Sequence, residues 1–112
     1  MSELDDLLRR GREALETGDN KVALTLLRQA TRLVPEDVQG WQLLGEALGE
    51  EGQLAAAIEA FNRARKLAPE DLDLLYALGD AYFENNDAKT ALEIYQAILD
   101  LDRNEADAWV SM

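Results

Sequence analysis

The 112-residue sequence contains no cysteine and no histidine, and only two prolines and seven aromatic residues. Without cysteine there is neither a disulfide frame nor a thiolate metal site, and the redox compartment stays open. Without histidine, the commonest metal ligand and the commonest general base are missing together. No metal, no cofactor and no Ser-His-Asp catalysis are therefore expected. Basic residues are scarce too: 11 lysines and arginines stand against 23 acids, a formal charge of −12. That balance opposes phosphate backbones and anionic lipid surfaces, so neither nucleic acid nor a membrane is an expected partner. The longest apolar runs, "LAAAI" at Leu54–Ile58 and "LLYAL" at Leu74–Leu78, fall well below the ~18 residues of a membrane span. The opening "MSELDDLLRR" carries acids where a secretion signal needs a basic region and an apolar core. With no such signal, the default location is cytoplasmic.

What is present is a period. Gly11, Gly45 and Gly79 are spaced 34 residues apart, and so are Ala23, Ala57 and Ala91. The same interval separates Pro35 from Pro69 and relates Leu27, Phe61 and Tyr95; Trp41 returns as Leu75 and then Trp109. A period of 20 to 50 residues points to stacked supersecondary units. The units run 4–37, 38–71 and 72–105, with 106–112 beginning a fourth, and the whole of 1–112 reads as one domain. In the second unit, Trp41, Leu44 and Leu48, then Leu54, Ile58, Phe61 and Leu67, follow helical spacing. Each unit thus holds two helices.

The punctuation agrees. "ETGD", "EEGQ" and "ENND" separate the two helices, and they place Gly18, Gly52 and Asn86 where a left-handed residue ends a helix. "PED" ends the first and second units, ahead of the next first helix; its proline stops a helix and Asp37 or Asp71 can cap the next. Gly45 is expected to meet Ala57 where the paired helices pass closest. Gly49 has no such role, because its slot holds the bulky Leu15 and Phe83 in the other units.

These residues resemble the tetratricopeptide repeat family over nearly the whole chain. The family pattern W-x2-L-G-x2-Y, A-x3-F, A, P meets "WQLLGEAL", "AIEAF", Ala64 and Pro69, with Leu48 in place of the tyrosine. The third unit keeps Leu78, Gly79, Tyr82, Ala91 and Tyr95 but has Leu75, Ile98 and Arg103 for tryptophan, alanine and proline. The first is more worn, with Arg10 in an apolar slot that an end helix can accommodate by snorkelling. The resemblance implies an all-α fold: a right-handed superhelical array of antiparallel helix pairs, three repeats plus one terminal helix. It also implies a non-catalytic scaffold that holds a peptide or helix of a partner protein in a concave groove.

The resemblance implies that the outward face of each first helix lines this groove, and helix phase gives the residues on that face. With slots 4, 7, 8 and 11 of each unit toward the core, slots 2, 5, 6, 9, 12 and 13 point away. They carry Asp5, Leu8, Arg9, Arg12, Leu15 and Glu16, then Gln39, Gln42, Leu43, Glu46, Gly49 and Glu50, then Asp73, Tyr76, Ala77, Asp80, Phe83 and Glu84. From this set the expected contact residues are Arg9, Arg12, Gln39, Gln42, Glu46, Asp73, Tyr76, Asp80 and Phe83. Tyr76 and Phe83 lead, since aromatics on a wet face lack an obvious packing duty. The three units hold six bases against seven acids, three against six and two against eight. This gradient favours a basic or amphipathic peptide over the third unit.

Other readings are weaker. The repeat pattern puts Trp41 and Trp109 on packed faces, not on a ligand platform. "DLDRN", Asp100–Asn104, imitates the start of a calcium loop, but Glu105 stands where that loop needs glycine and Ser111 where it needs glutamate. Neighbouring acids such as Glu50 and Glu51 do not face each other on a helix, which leaves acid-base catalysis without a pair. Family members that hold acidic chaperone tails use lysine, asparagine and arginine where this chain has Leu8, Arg12, Leu43, Asp73 and Ala77, so an acidic tail is disfavoured. The fourth unit stops after "ADAWVSM", which motivates an alternative, homo-oligomers formed through exposed repeat ends. It also suggests a fragment of a longer protein.

Overall fold

The computed structural model describes residues 2–110, with side chains described through Asp102. Six helices follow in order: α1 Glu3–Glu16, α2 Asn20–Leu33, α3 Val38–Glu50, α4 Leu54–Leu67, α5 Leu72–Glu84 and α6 Ala88–Val110. They form three antiparallel pairs, α1–α2, α3–α4 and α5–α6, and each pair packs on the next. The first helices α1, α3 and α5 also touch in sequence, whereas α2, α4 and α6 do not touch one another. One side of the array therefore presents the first helices next to one another.

The repeated residues occupy equivalent positions. Ala23, Ala57 and Ala91 are all fully buried, as are Ala30 and Ala64. A Cβ on Gly11 would lie 2.7 Å from the Leu27 side chain, one on Gly45 2.6 Å from the Phe61 ring, and one on Gly79 2.7 Å from the Tyr95 ring. The nearest neighbour of each repeated glycine is thus the bulky residue sixteen positions later. For Gly45 it is Phe61 and not the expected Ala57. The small residue makes room for a large one, and the cleft between paired helices closes around a leucine or an aromatic ring.

The helix ends repeat as faithfully. Gly18, Gly52 and Asn86 have φ of 83°, 79° and 64°. The amides of Asp19, Gln53 and Asp87 donate to the carbonyls of Ala14, Leu48 and Tyr82 at 2.8, 2.9 and 2.9 Å. This six-to-one bond closes the last turn of each first helix and sets the angle at which the second returns. Asp37 accepts from the Gly40 amide at 2.9 Å and Asp71 from the Leu74 amide at 3.2 Å, which caps α3 and α5. Trp41 is half-buried at the joint: its indole N–H donates to the Pro35 carbonyl at 2.8 Å, and the Arg63 guanidinium lies 5.0 Å from its ring centre. Arg10 remains exposed, 3.5 Å from Asp6. The side chain of Trp109 lies outside the described residues.

The segment expected to form a terminal helix of its own, 106–112, is joined to the third pair. α6 runs without a break through 23 residues to Val110, and it includes the whole of the calcium-like stretch "DLDRN". Residues 111–112 lie outside the described part. The physical reason is in the sequence: Arg103 replaces the proline that ends α2 and α4 as Pro35 and Pro69, and Glu105 replaces the capping aspartate. Nothing there stops the helix.

Candidate functional site

Two adjoining cavities run along the side lined by the first helices. The first, of about 370 Å³, lies between α3 and α5. Its floor and walls are Leu15, Gly45, Gly49, Leu54, Ala57, Phe61, Ala77 and Ala81; its polar groups are Glu46, Glu50, Asp80 and Glu84. The second, of about 410 Å³, lies between α1 and α3 and is lined by Arg12, Leu15, Glu16, Gln39, Gln42, Leu43 and Glu46. Leu15 and Glu46 belong to both. The two therefore form one groove across the faces of α1, α3 and α5.

Charge divides it. The α1–α3 part mixes one arginine, two glutamates and two amides, whereas the α3–α5 part holds four carboxylates and no base. Among the described residues, the ion pairs all lie within α1, from Arg9 to Asp6 and Glu13 and from Arg10 to Asp6. Glu46 is exposed by area yet sits down in the concave face with protein around its carboxyl group. Partial desolvation raises its pKa above the usual carboxylate value; Glu50 adds to the rise, and the charge of Arg12 across the groove offsets part of it. Asp80 accepts the Tyr95 hydroxyl hydrogen bond at 2.5 Å, and the phenol is pushed up to about 12 because its proton is held by that carboxylate. Asn62 donates to the Tyr82 hydroxyl at 3.0 Å and ties α4 to α5 behind the groove.

Five of the nine expected contact residues line this groove: Arg12, Gln39, Gln42, Glu46 and Asp80. Arg9 is held on the outer side of α1 by Asp6 at 2.8 Å and Glu13 at 3.2 Å. Asp73, Tyr76 and Phe83 line neither cavity, although all three are exposed, Tyr76 by 53% and Phe83 by 63%. Of the wider outward set, Leu8 and Leu43 are buried instead. Leu8 lies beneath α3, with a methyl carbon 3.9 Å from where a Gly40 Cβ would stand. Helix phase within one unit does not register a helix contributed by the next. It also missed Leu54, Ala57, Phe61 and Ala81, because most of this floor comes from α4, a helix assigned wholly to the core.

Known proteins share the helical array. A sequence model of the tetratricopeptide repeat matches residues 8–71 and, overlapping it, 43–106. No curated protein matches. Among solved structures, MamA residues 41 to the end from Desulfovibrio magneticus RS-1 superposes with a TM-score of 0.85 at 32% identity, over 88% of this chain and 55% of that one. YrrB, described as a tetratricopeptide protein with an unusual peptide-binding site, gives 0.84 at 24% identity, over 99% of this chain and 57% of that one. The TPR2B domain of yeast Sti1, solved in complex with pHsp70, gives 0.87 at 20% identity, over 96% and 86%. The latter two likenesses are of fold alone. The chain spans little more than half the length of the MamA and YrrB chains.

Proposed function

Because the chain belongs to the tetratricopeptide repeat family, we propose that it is a non-catalytic scaffold whose concave groove holds a basic peptide or amphipathic helix of another protein. The observation that carries this reading is the α3–α5 cavity, whose lining sets four carboxylates and no base around an apolar floor, with Arg12 of the adjoining cavity opposing Glu46 alone. Unbalanced charge at a concave surface steers an oppositely charged ligand and selects against acidic ones. The apolar floor supplies area that a simple salt-bridge surface lacks. Gln39 and Gln42 in the adjoining part offer amides to a peptide backbone. Asp73 and Tyr76 are exposed on α5, one wall of the groove, and are available to a ligand longer than the cavities.

The test is a calorimetric titration with a basic amphipathic peptide and its charge-reversed counterpart at low and physiological salt. The wild-type chain should bind the basic peptide alone, more weakly as salt rises. A variant with Glu50→Lys and Glu84→Lys, confirmed folded by circular dichroism, should not bind it. Salt-independent binding, or binding that survives both substitutions, would remove the groove reading.

A second reading, association of two copies of this chain, has its own observation. Leu92 and Leu99 on α6 are exposed by 67% and 55%, and Tyr76 and Phe83 are exposed on α5. In earlier repeats the slots of Leu92, Leu99 and Tyr76 hold Leu24 and Ile58, Thr31 and Arg65, and Leu8 and Gln42, all of them buried or half-buried where a further repeat follows. The opposite end carries Asp6, Arg9, Arg10 and Glu13 in ion pairs. An apolar end and a charged end disfavour head-to-tail filaments and favour two like ends meeting about a two-fold axis. Light scattering across a concentration series decides. A mass that doubles, and returns to the monomer value in Leu92→Lys, Leu99→Lys, supports pairing, and a constant monomer excludes it.

A further inference from the structure

We infer that the gap at Gly49 is a specificity pocket that accepts one arginine side chain of the bound peptide. This deepens the groove reading and rests on it.

The repeats themselves show what is missing. The slot of Gly49 holds Leu15 in the first repeat and Phe83 in the third. A Cβ added at Gly49 would meet no atom within 4 Å, whereas one at Gly45, a turn earlier, would collide with the Phe61 ring. Gly45 is therefore small because a neighbour fills its space, and Gly49 faces unfilled space. That space is part of the α3–α5 cavity, bounded by Leu15 on one side, Ala77 and Ala81 on the other and Phe61 below. Gly49 lies in the last turn of α3, where a glycine costs less than in a helix interior, and it leaves a depression in the middle of the groove.

The rim breaks a second local rule. Glu50 and Glu84 are the last residues of α3 and α5, as Glu16 is of α1, and none of these helices has a base in its last turn; only Glu50 and Glu84 face each other across the α3–α5 cavity. Helix C-termini carry partial negative charge and favour cations. Two glutamates there, beside Glu46 and Asp80, concentrate negative potential over an apolar depression. Local rules broken together at one place are the mark of a site held for a ligand.

The occupant follows from this combination. An arginine has an aliphatic stem that lies against alanine, leucine and phenylalanine, and a planar head with five donors that can reach several carboxylates at once. A lysine presents a compact, strongly hydrated charge with three donors and matches dispersed acceptors less well. A neutral apolar side chain would cover Glu46 and desolvate it further without compensation. Asp80, one oxygen of which takes the Tyr95 hydroxyl, keeps its other oxygen for the ligand.

The experiment is selection from a random dodecapeptide library on immobilised wild-type chain, Gly49→Leu, and Glu50→Gln with Glu84→Gln. Gly49→Leu restores the residue of the first repeat, and a thermal melt at or above the wild-type midpoint establishes that it folds. The wild type should enrich peptides with an arginine at a fixed distance from an apolar residue. Gly49→Leu should lose that arginine, and a selected peptide should bind it about tenfold more weakly or worse. Replacing that arginine by norleucine or lysine should weaken wild-type binding, but change little in the filled variant. Basic peptides enriched equally by wild type and Gly49→Leu would overturn the pocket while leaving the groove reading standing. No enrichment of basic peptides by the wild type would overturn both.

Discussion

Replacing Gly45 and Gly49 by alanine, one at a time, tests the packing of α3 with a built-in control. Both glycines lie in α3, and an interior helical glycine costs up to about 1 kcal/mol relative to alanine. That gain is common to the two substitutions, though smaller at Gly49, which is in the last turn. The surroundings differ. A Cβ at Gly45 would stand 2.6, 2.7 and 2.9 Å from three carbons of the Phe61 ring. Phe61 is 4% exposed, and its rigid ring can yield only by moving the α3–α4 contact. Overpacking of this kind costs about 1–3 kcal/mol. Gly49→Ala, with no atom within 4 Å of its new methyl group, should stabilise by up to about 1 kcal/mol. Gly45→Ala should be neutral or destabilising by up to ~2 kcal/mol, since the propensity gain offsets part of the overpacking. Urea unfolding of both proteins, fitted with a shared slope, reads the difference as a shift in midpoint. If Gly45→Ala stabilises as much as Gly49→Ala, the Phe61 ring does not occupy the space beside Gly45, and the helical hairpin described here is wrong.

Two titrations check the groove electrostatics. The Tyr95 phenol should titrate near pH 12 and move down in Asp80→Asn, read as the change in phenolate absorbance against a Tyr95→Phe control. Because the folded-state value lies above the ordinary 10.0, this hydrogen bond contributes its full stability below about pH 10 and loses it as pH rises toward 12. Glu46 also has a raised folded-state pKa, from burial first. The folded protein binds its proton more tightly than the unfolded chain, so its contribution favours folding at low pH and is lost as pH rises through the raised value. Glu46→Gln should therefore stabilise the protein at neutral pH relative to wild type, with the advantage shrinking as pH falls through the raised value and gone below 4.5, the ordinary value. Urea midpoints at pH 7 and pH 4 that differ from wild type by the same amount would contradict this.

The fold was legible because a repeat protein writes each structural instruction several times. One glycine at a helix end is weak evidence, but Gly18, Gly52 and Asn86 at one interval, each with positive φ, made the turns readable. The same redundancy identified the fully buried alanines Ala23, Ala57 and Ala91. The groove was less legible, because it is a property of neighbours. Leu8 looked outward-facing until α3 covered it, and Phe61 looked like core until its edge proved to floor a cavity. Gly49 had no sequence explanation, since an empty space is defined by helices 4 and 5 as much as by the residue that leaves it. Tyr76 and Phe83 are exposed as their slots imply, but in the last repeat no following helix builds the far wall of a groove beside them.

The same dependence on a following unit makes the continuity of α6 testable. In the first two repeats, proline and aspartate end the second helix and start the next; Arg103 and Glu105 occupy those slots here, and α6 continues to Val110. Restoring the pattern with Arg103→Pro and Glu105→Asp removes one helical amide and sets the proline ring against the carbonyl one turn earlier, a cost of about 3 kcal/mol if the helix stays intact. The helix should break instead. Ala91, Ile94 and Ile98 are buried against the core and hold the first part of α6 in place. The severed end is far below the ~12–15 residues at which an isolated helix becomes stable. Amide hydrogen exchange should therefore show protection lost beyond residue 103 and retained from Ala91 to Ile98. Global stability, read from urea unfolding of the same variant, measures what the turns beyond residue 103 add to the three-repeat core. Unchanged protection beyond residue 103 would mean that a proline there does not interrupt α6. Loss of protection throughout α6 would mean that the third repeat depends on the helical extension, and that its pairing with α5 is not the self-sufficient unit the buried alanine and isoleucines imply.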